Sequence, residues 1–556
     1  MNKKVCSFPI LFALLALLIG TCAVVFPASA QAAPTSTGSI TVSGTVASSY
    51  DAYQIFSANV VDGDSDAKIA TDLAWASDAV RDAALPVLHS AGMPNSQTTA
   101  QEAAEWLNTD SHLTSALSAQ LARSLQSSGA EPVALNAGTT AELSCGYWLI
   151  VADDDAIAQG ETGTAPIMAL VGGSAVTVKP KAATPKVAKY VLEDSTAAWQ
   201  KAADATVADD LYWRLSATVP AGLTAYDTYT VRFVDTMSAG LDPSKVAASV
   251  RVYAAAGADG GFDVVQTGKD GRAGTEPAKG WTDITAQCAT KVAADGKTFT
   301  VRTGDLIAAL GGADAFTAGA RVVAVYNAPL NGACNHGIAK GNPNEVYLRY
   351  PRSPFADQSG DAGFTRTPSD DACAYTWDLA LTKRGSDGDK PLARAVLSIA
   401  DDRGRTLAAD GTWDAEGKAT VTTGEDGRVT VSGVDSGKLE VRELKAPKGY
   451  TAFEGTRSVT VKAEGLDVDQ VAAAKPKLTI TAESPLRADS ADGSTGSLEA
   501  SLINTPTGTP PSITTGGFMP STGDMAMYAA AAAAVAGAAL LVVALLVKRG
   551  GGSHKE

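Results

Sequence analysis

Short runs of alternating apolar and polar residues recur along most of this 556-residue chain. Ser39–Val46, Tyr229–Val234 and Trp377–Lys383 are examples. A period of two puts every second side chain on one face of an extended strand. Turn signals such as Glu425-Asp426-Gly427 and Val434-Asp435-Ser436-Gly437 separate such runs. Only 6% of residues are aromatic, while there are 53 glycines. That mix suits short strands and turns better than one large helical core. One section breaks the rule, from about Asp66 to Ser128. Leu113, Leu117, Leu121 and Leu125 recur there at every fourth position and predict one apolar helix face. Thr99-Ala100-Gln101-Glu102 predicts a capping box for a helix carrying Trp106 and Leu107.

At roughly 100–200 residues per domain the length allows about three to five domains. Composition and pattern divide the chain into segments 34–180, 182–368 and 369–506, with a Pro-, Gly- and Thr-rich linker at 507–518. The expected fold class is mainly β: tandem immunoglobulin-like β-sandwich domains, the first with helical insertions, followed by a C-terminal transmembrane helix. The net charge is -15. An acidic surface repels phosphate backbones, so nucleic acid is excluded as the expected partner.

The two ends carry export signals. Lys3 and Lys4 precede an apolar run from Pro9 to Val25, then Ala28-Ser29-Ala30 and Ala30-Gln31-Ala32 offer small-x-small cleavage sites. That order predicts a signal peptide over residues 1–30. Near the other end, Met519-Pro520-Ser521-Thr522-Gly523 precedes an uncharged apolar stretch at 525–547 and a basic tail at 548–556. The stretch is long enough to cross a ~30 Å hydrocarbon layer, and Lys548 and Arg549 would hold the tail in the cytoplasm. This arrangement resembles the cell-wall sorting signal read by sortases, with Met519 where Leu is usual. The resemblance implies that a sortase cysteine attacks the Thr522 carbonyl, Gly523 leaves, and an amine captures the thioester.

The third segment holds the sharpest internal pattern. Trp377-Asp378-Leu379-Ala380-Leu381-Thr382-Lys383 alternates and ends on a lysine, Glu443 opens Glu-Leu-Lys-Ala-Pro-Lys-Gly-Tyr, and Leu502-Ile503-Asn504 closes the segment. These resemble the collagen-adhesin B-type domain of Gram-positive surface proteins, although Leu444 and Leu439 replace the usual Thr and Tyr. The resemblance implies an isopeptide bond from Lys383 to Asn504, promoted by Glu443. Burial would lower the lysine's pKa and raise that of the carboxyl, giving a neutral amine and a neutral acid. Lys189, Asp235 and Asn331 form a similar set in the second segment, with Lys186 and Asn327 as the alternative lysine and asparagine. That set resembles the middle domain of sortase-assembled backbone pilins. In Val176-Thr177-Val178-Lys179-Pro180-Lys181, Lys181 matches the pilin lysine that captures the next subunit, and Lys179 is the alternative.

The resemblance spans nearly the whole chain. It implies a non-enzymatic shaft subunit of a pilus, secreted and anchored to a Gram-positive cell wall, its precursor held in the membrane. The implied partners are a sortase, other pilin subunits in a covalent homopolymer, peptidoglycan, and host surface ligands. A monomeric wall-anchored adhesin or an ancillary pilin is the alternative. Cys145, Cys288, Cys334 and Cys373 remain after the leader, which permits three full pairings or free thiols. Cys288–Cys334 is the preferred disulfide because both fall in one segment. No cofactor or metal is expected. Asp62, Asp64 and Asp66 lack the glycine and glutamate of a calcium loop. His89, His112, His336 and His554 show no metal spacing, and no nucleophile elbow or phosphate loop is found.

Overall fold

The computed structural model describes residues 36–64, 67–109, 111–180, 184–257, 280–316 and 319–508. Trp377–Lys383 is strand throughout, whereas Ser39–Val46 is strand only as far as Val42 and Tyr229–Val234 only from Arg232; the strands pack as three successive β units. In the first unit, Ser49–Asp62 lies between Lys68–Trp75 and Gly146–Ala152, and Ile167–Val171 follows. A second, three-stranded sheet sets Thr37–Val42 between Thr140–Ser144 and Val176–Val178. Tyr50, Trp148 and Ile150 face Ile40 and Val42 from one side of the larger sheet. Tyr53, Ile55 and Leu149 face the helices Asp78–Ser90, Ala100–Asn108 and Ser115–Ser127 from the other.

The capping box is formed: Glu102 N donates to Thr99 Oγ1 at 3.2 Å, and Thr99 N donates back to Glu102 Oε2 at 3.0 Å. Leu117, Leu121 and Leu125 are buried along one helix face. Leu113 departs from that stripe: it precedes the N-cap Thr114 and is 38% exposed. Four-residue spacing cannot reveal that a cap interrupts it.

The middle unit is a sandwich of a six-stranded and a seven-stranded sheet around one large core. Its strand Asp370–Tyr375 pairs antiparallel with Asn342–Pro351 and parallel with Ala202–Asp204. The seam with the third unit therefore falls between Tyr375 and Trp377, slightly beyond the composition change at 368. The third unit packs a five-stranded sheet on a seven-stranded one. Its first strand, Trp377–Gly385, lies parallel and adjacent to its last, Ser497–Pro506. The whole intervening chain thus closes on a pair of neighbouring strands.

Among the described residues no helix is long and apolar enough to cross a membrane. The leader, Lys181, the pentapeptide Met519–Gly523 and the expected spanning stretch at 525–547 lie outside the described residues.

Candidate functional site: two buried lysine sets

In the third unit, strand alternation turns Lys383 inward with Leu379 and Leu381. Its side chain is 0% exposed. Asn504 lies two residues beyond Leu502, the register partner of Lys383, and faces the same way. Lys383 Nζ donates to Asn504 Oδ1 and lies 3.2 Å from Glu443 Oε1. Asn504 Nδ2 donates to Glu443 Oε1 at 2.8 Å, and Phe453 N donates to Glu443 Oε2 at 3.2 Å. Burial pushes the Lys383 amine down to about 8, against the opposing pull of Glu443. Lys383, Glu443 and Asn504 therefore meet in one dry cluster.

The middle unit holds a second cluster. Lys189 on Lys186–Glu193 and Asp235 on Arg232–Met237 are both 0% exposed and contact each other directly. The Tyr326 hydroxyl accepts from Lys189 Nζ at 2.9 Å and donates to Asp235 Oδ2 at 3.1 Å. It also accepts from Asn344 Nδ2 at 2.7 Å. One hydroxyl thus links the amine, the acid and an amide. Asn344 Oδ1 and Asp235 Oδ1 are buried with no hydrogen-bond partner. Burial is the chief reason the Lys189 amine falls to about 8 and the Asp235 carboxyl rises above the usual range. Both directions favour a neutral amine beside a neutral acid. The charge of Lys201, whose Nζ donates to Lys189 O at 2.8 Å, also pushes the amine down, while Asp235 and Asp370 oppose the shift.

Asn331 is not in this cluster. Its amide donates to Ala239 O and Leu241 O, each at 3.0 Å, from the turn after Ala320–Asn327. Asn327 is also engaged elsewhere, donating to Asp210 Oδ1 at 2.7 Å. Asn344 occupies the place that was expected of Asn331. The missed signal was in the alternation: Asn344 shares its strand face with Val346, Leu348 and Tyr350, all fully buried. Tyr326 was missed for the same reason, sharing a face with Val322 and Ala324. Lys186 is exposed, on the opposite face of its strand from Lys189.

The expected Cys288–Cys334 disulfide is not formed, and all four described cysteines are free. Each thiol of that pair is engaged locally: Cys288 Sγ donates to Ile284 O at 3.3 Å, and Cys334 Sγ lies 3.5 Å from His336 Nε2. Lys179 is exposed directly after the strand Val176–Val178. Among the described residues of the first unit no lysine is fully buried. Lys68 reaches backbone oxygens of Gly172 and Ser174 instead. No group of three or more His, Cys, Asp or Glu suited to a metal is found among the described residues.

Residues 378–475 match the family described as SpaA, prealbumin-like fold domain. The third unit therefore has a prealbumin-like fold of the SpaA kind. Over 143 residues the chain is 29% identical to the trypsin-resistant surface T6 protein of Streptococcus pyogenes serotype M6. That match spans 24% of this chain and 24% of the relative. Among solved structures, the T6 backbone pilin of the same serotype aligns at 17% identity and a TM-score of 0.45, covering 85% of this chain and 98% of that one. The full-length major pilin SpaD from Corynebacterium diphtheriae aligns at 14% identity and a TM-score of 0.41, covering 85% and 98%.

Proposed function

We propose that this chain is the structural shaft subunit of a sortase-assembled, wall-anchored pilus, stiffened by two internal Lys–Asn isopeptide bonds. The observation that carries the reading is the Lys383–Glu443–Asn504 cluster. It joins the first and last strands of a unit that matches a SpaA-type domain. In each bond a neutral Nζ attacks the asparagine Cγ, the carbonyl oxygen is held by a protonated carboxyl, and the amide nitrogen leaves as ammonia. Turning the Asn504 amide by half a revolution offers Oδ1 to the Glu443 carboxyl for this step. In the middle unit, Lys189 is the nucleophile, Asp235 the acid and Asn344 the acceptor, with Tyr326 aligning all three. Each reaction occurs once per chain, so the protein is a substrate of its own fold rather than a turnover enzyme.

Polymerisation is proposed to use the Thr522 carbonyl of one subunit and Lys181 of the next, with peptidoglycan as the final acceptor. A wall extract on a denaturing gel tests this. The expected result is a ladder of SDS-resistant multimers that Lys181→Arg removes. A single wall-anchored band in the wild type would establish the monomeric adhesin instead. A ladder that survives Lys181→Arg would move the role to Lys179 or another lysine.

A further inference from the structure

The seam between the middle and third units brings together a thiol, an imidazole and a carboxylate that the isopeptide chemistry does not use. Cys334 and His336 lie on the loop after the strand Ala320–Asn327, and Asp378 on the strand Trp377–Gly385. Cys334 Sγ is 3.5 Å from His336 Nε2. His336 Nδ1 is 2.8 Å from Asp378 Oδ1, without the alignment of a full hydrogen bond. Asp378 is itself fixed, accepting from Ser432 Oγ at 2.6 Å and Gly433 N at 3.0 Å. Gly337 N to Thr376 O at 3.0 Å ties the loop to the seam, and Ile338 N to Gly493 O at 3.1 Å ties it to the third unit. The order is nucleophile, base and orienting acid. A carboxylate beside Nδ1 favours the proton there and leaves Nε2 free to accept one from sulfur.

We propose that Cys334 is a base-assisted thiol and a site of modification by low-molecular-weight disulfides. As Cys334 Sγ attacks one sulfur of R–S–S–R, its proton passes to His336 Nε2. The Cys334–S–S–R bond forms, the original S–S bond breaks, and the departing R–S⁻ takes the proton from His336. Cys334 is oxidised to the disulfide level and one R–S half is reduced to a thiol, so no further oxidant is needed. The site is partly open: the His336 and Asp378 side chains are 26% and 31% exposed. Burial and the charge of Asp378 hold the Cys334 thiol above its ordinary pKa. It therefore rests protonated, and the base acts during attack.

The other three described cysteines provide internal controls. Cys145 and Cys373 are buried, and Cys288 donates to a backbone carbonyl with its thiol pushed up to about 11 by burial. The folded, full exported chain is exposed to oxidised glutathione, and mixed disulfide at each cysteine is followed by peptide mass over time. Cys334 is expected to react at least about tenfold faster than the other three, a modest share of what a positioned base can supply. His336→Gln is expected to slow Cys334 alone by about tenfold or more. The rates at Cys145, Cys288 and Cys373 should be the same in the variant as in the wild type. Equal rates at Cys334 and Cys288 in the wild type would overturn the proposal without recourse to any variant. So would an unchanged Cys334 rate in a folded His336→Gln chain.

Discussion

Asn344 and Asn331 separate cleanly by environment: one sits in an apolar register, the other caps a turn. Asn344→Ala is expected to abolish the middle-unit bond, restoring the mass of one ammonia, whereas Asn331→Ala should leave the mass deficit intact. Peptide mapping distinguishes the two. A pH test follows from Lys383. In Asn504→Ala the lysine stays unbonded and, in the folded state, titrates at about 8 rather than 10.5. Between those values the unfolded chain binds more protons than the folded one, so stability should climb as pH rises through that window. In the wild type the proposed bond would turn the lysine into an amide that contributes no such slope. Thermal melts at several pH values read the difference. The third-unit set was legible because its residues fall inside a recognisable motif. The middle-unit set is half legible: Lys189 and Asp235 sit in strand patterns, but the resemblance points to Asn331 or Asn327 and gives no sign of Asn344 on the core face. A polar residue at an inward position of an apolar strand was the better guide, since burying it demands a partner.

At the level of elements, each bond shortcuts a large stretch of chain. With the proposed bond closed, force entering along Trp377–Gly385 would cross at Lys383 to Asn504 and leave along Ser497–Pro506. The load then falls on a covalent bond rather than on strand hydrogen bonds worth about 1 kcal/mol each net. Glu443→Ala should therefore leave the third unit unbonded and lower its protease resistance and melting temperature. The helices are held by ordinary means. Thr99→Ala removes a side-chain cap from Ala100–Asn108 and is expected to cost about 1 kcal/mol in denaturant unfolding of the first unit. Strand existence and the capping box were readable because period and cap chemistry are local. The parallel pairing of first and last strands was not, because register depends on the distant partner's face.

Across the whole molecule the middle and third units form a tied seam. Arg405 holds Asp209 through two bonds of 2.6 and 2.9 Å, and Arg403 adds a third at 2.7 Å. Trp377 Nε1 and Ser436 Oγ both donate to Asp204 Oδ2, each at 2.6 Å. Asp209→Ala should loosen this joint, seen as new proteolytic cleavage near the seam while both internal bonds persist. No composition rule predicts such a joint, since its charges lie far apart in sequence. The central claim is that the fold closes two bonds, Lys189–Asn344 and Lys383–Asn504. Intact mass of the folded exported chain, with the thiols kept reduced, tests it most directly. The account predicts a deficit of two ammonia, with digestion yielding one branched peptide for each pair. A full unmodified mass in the well-folded wild type would contradict it.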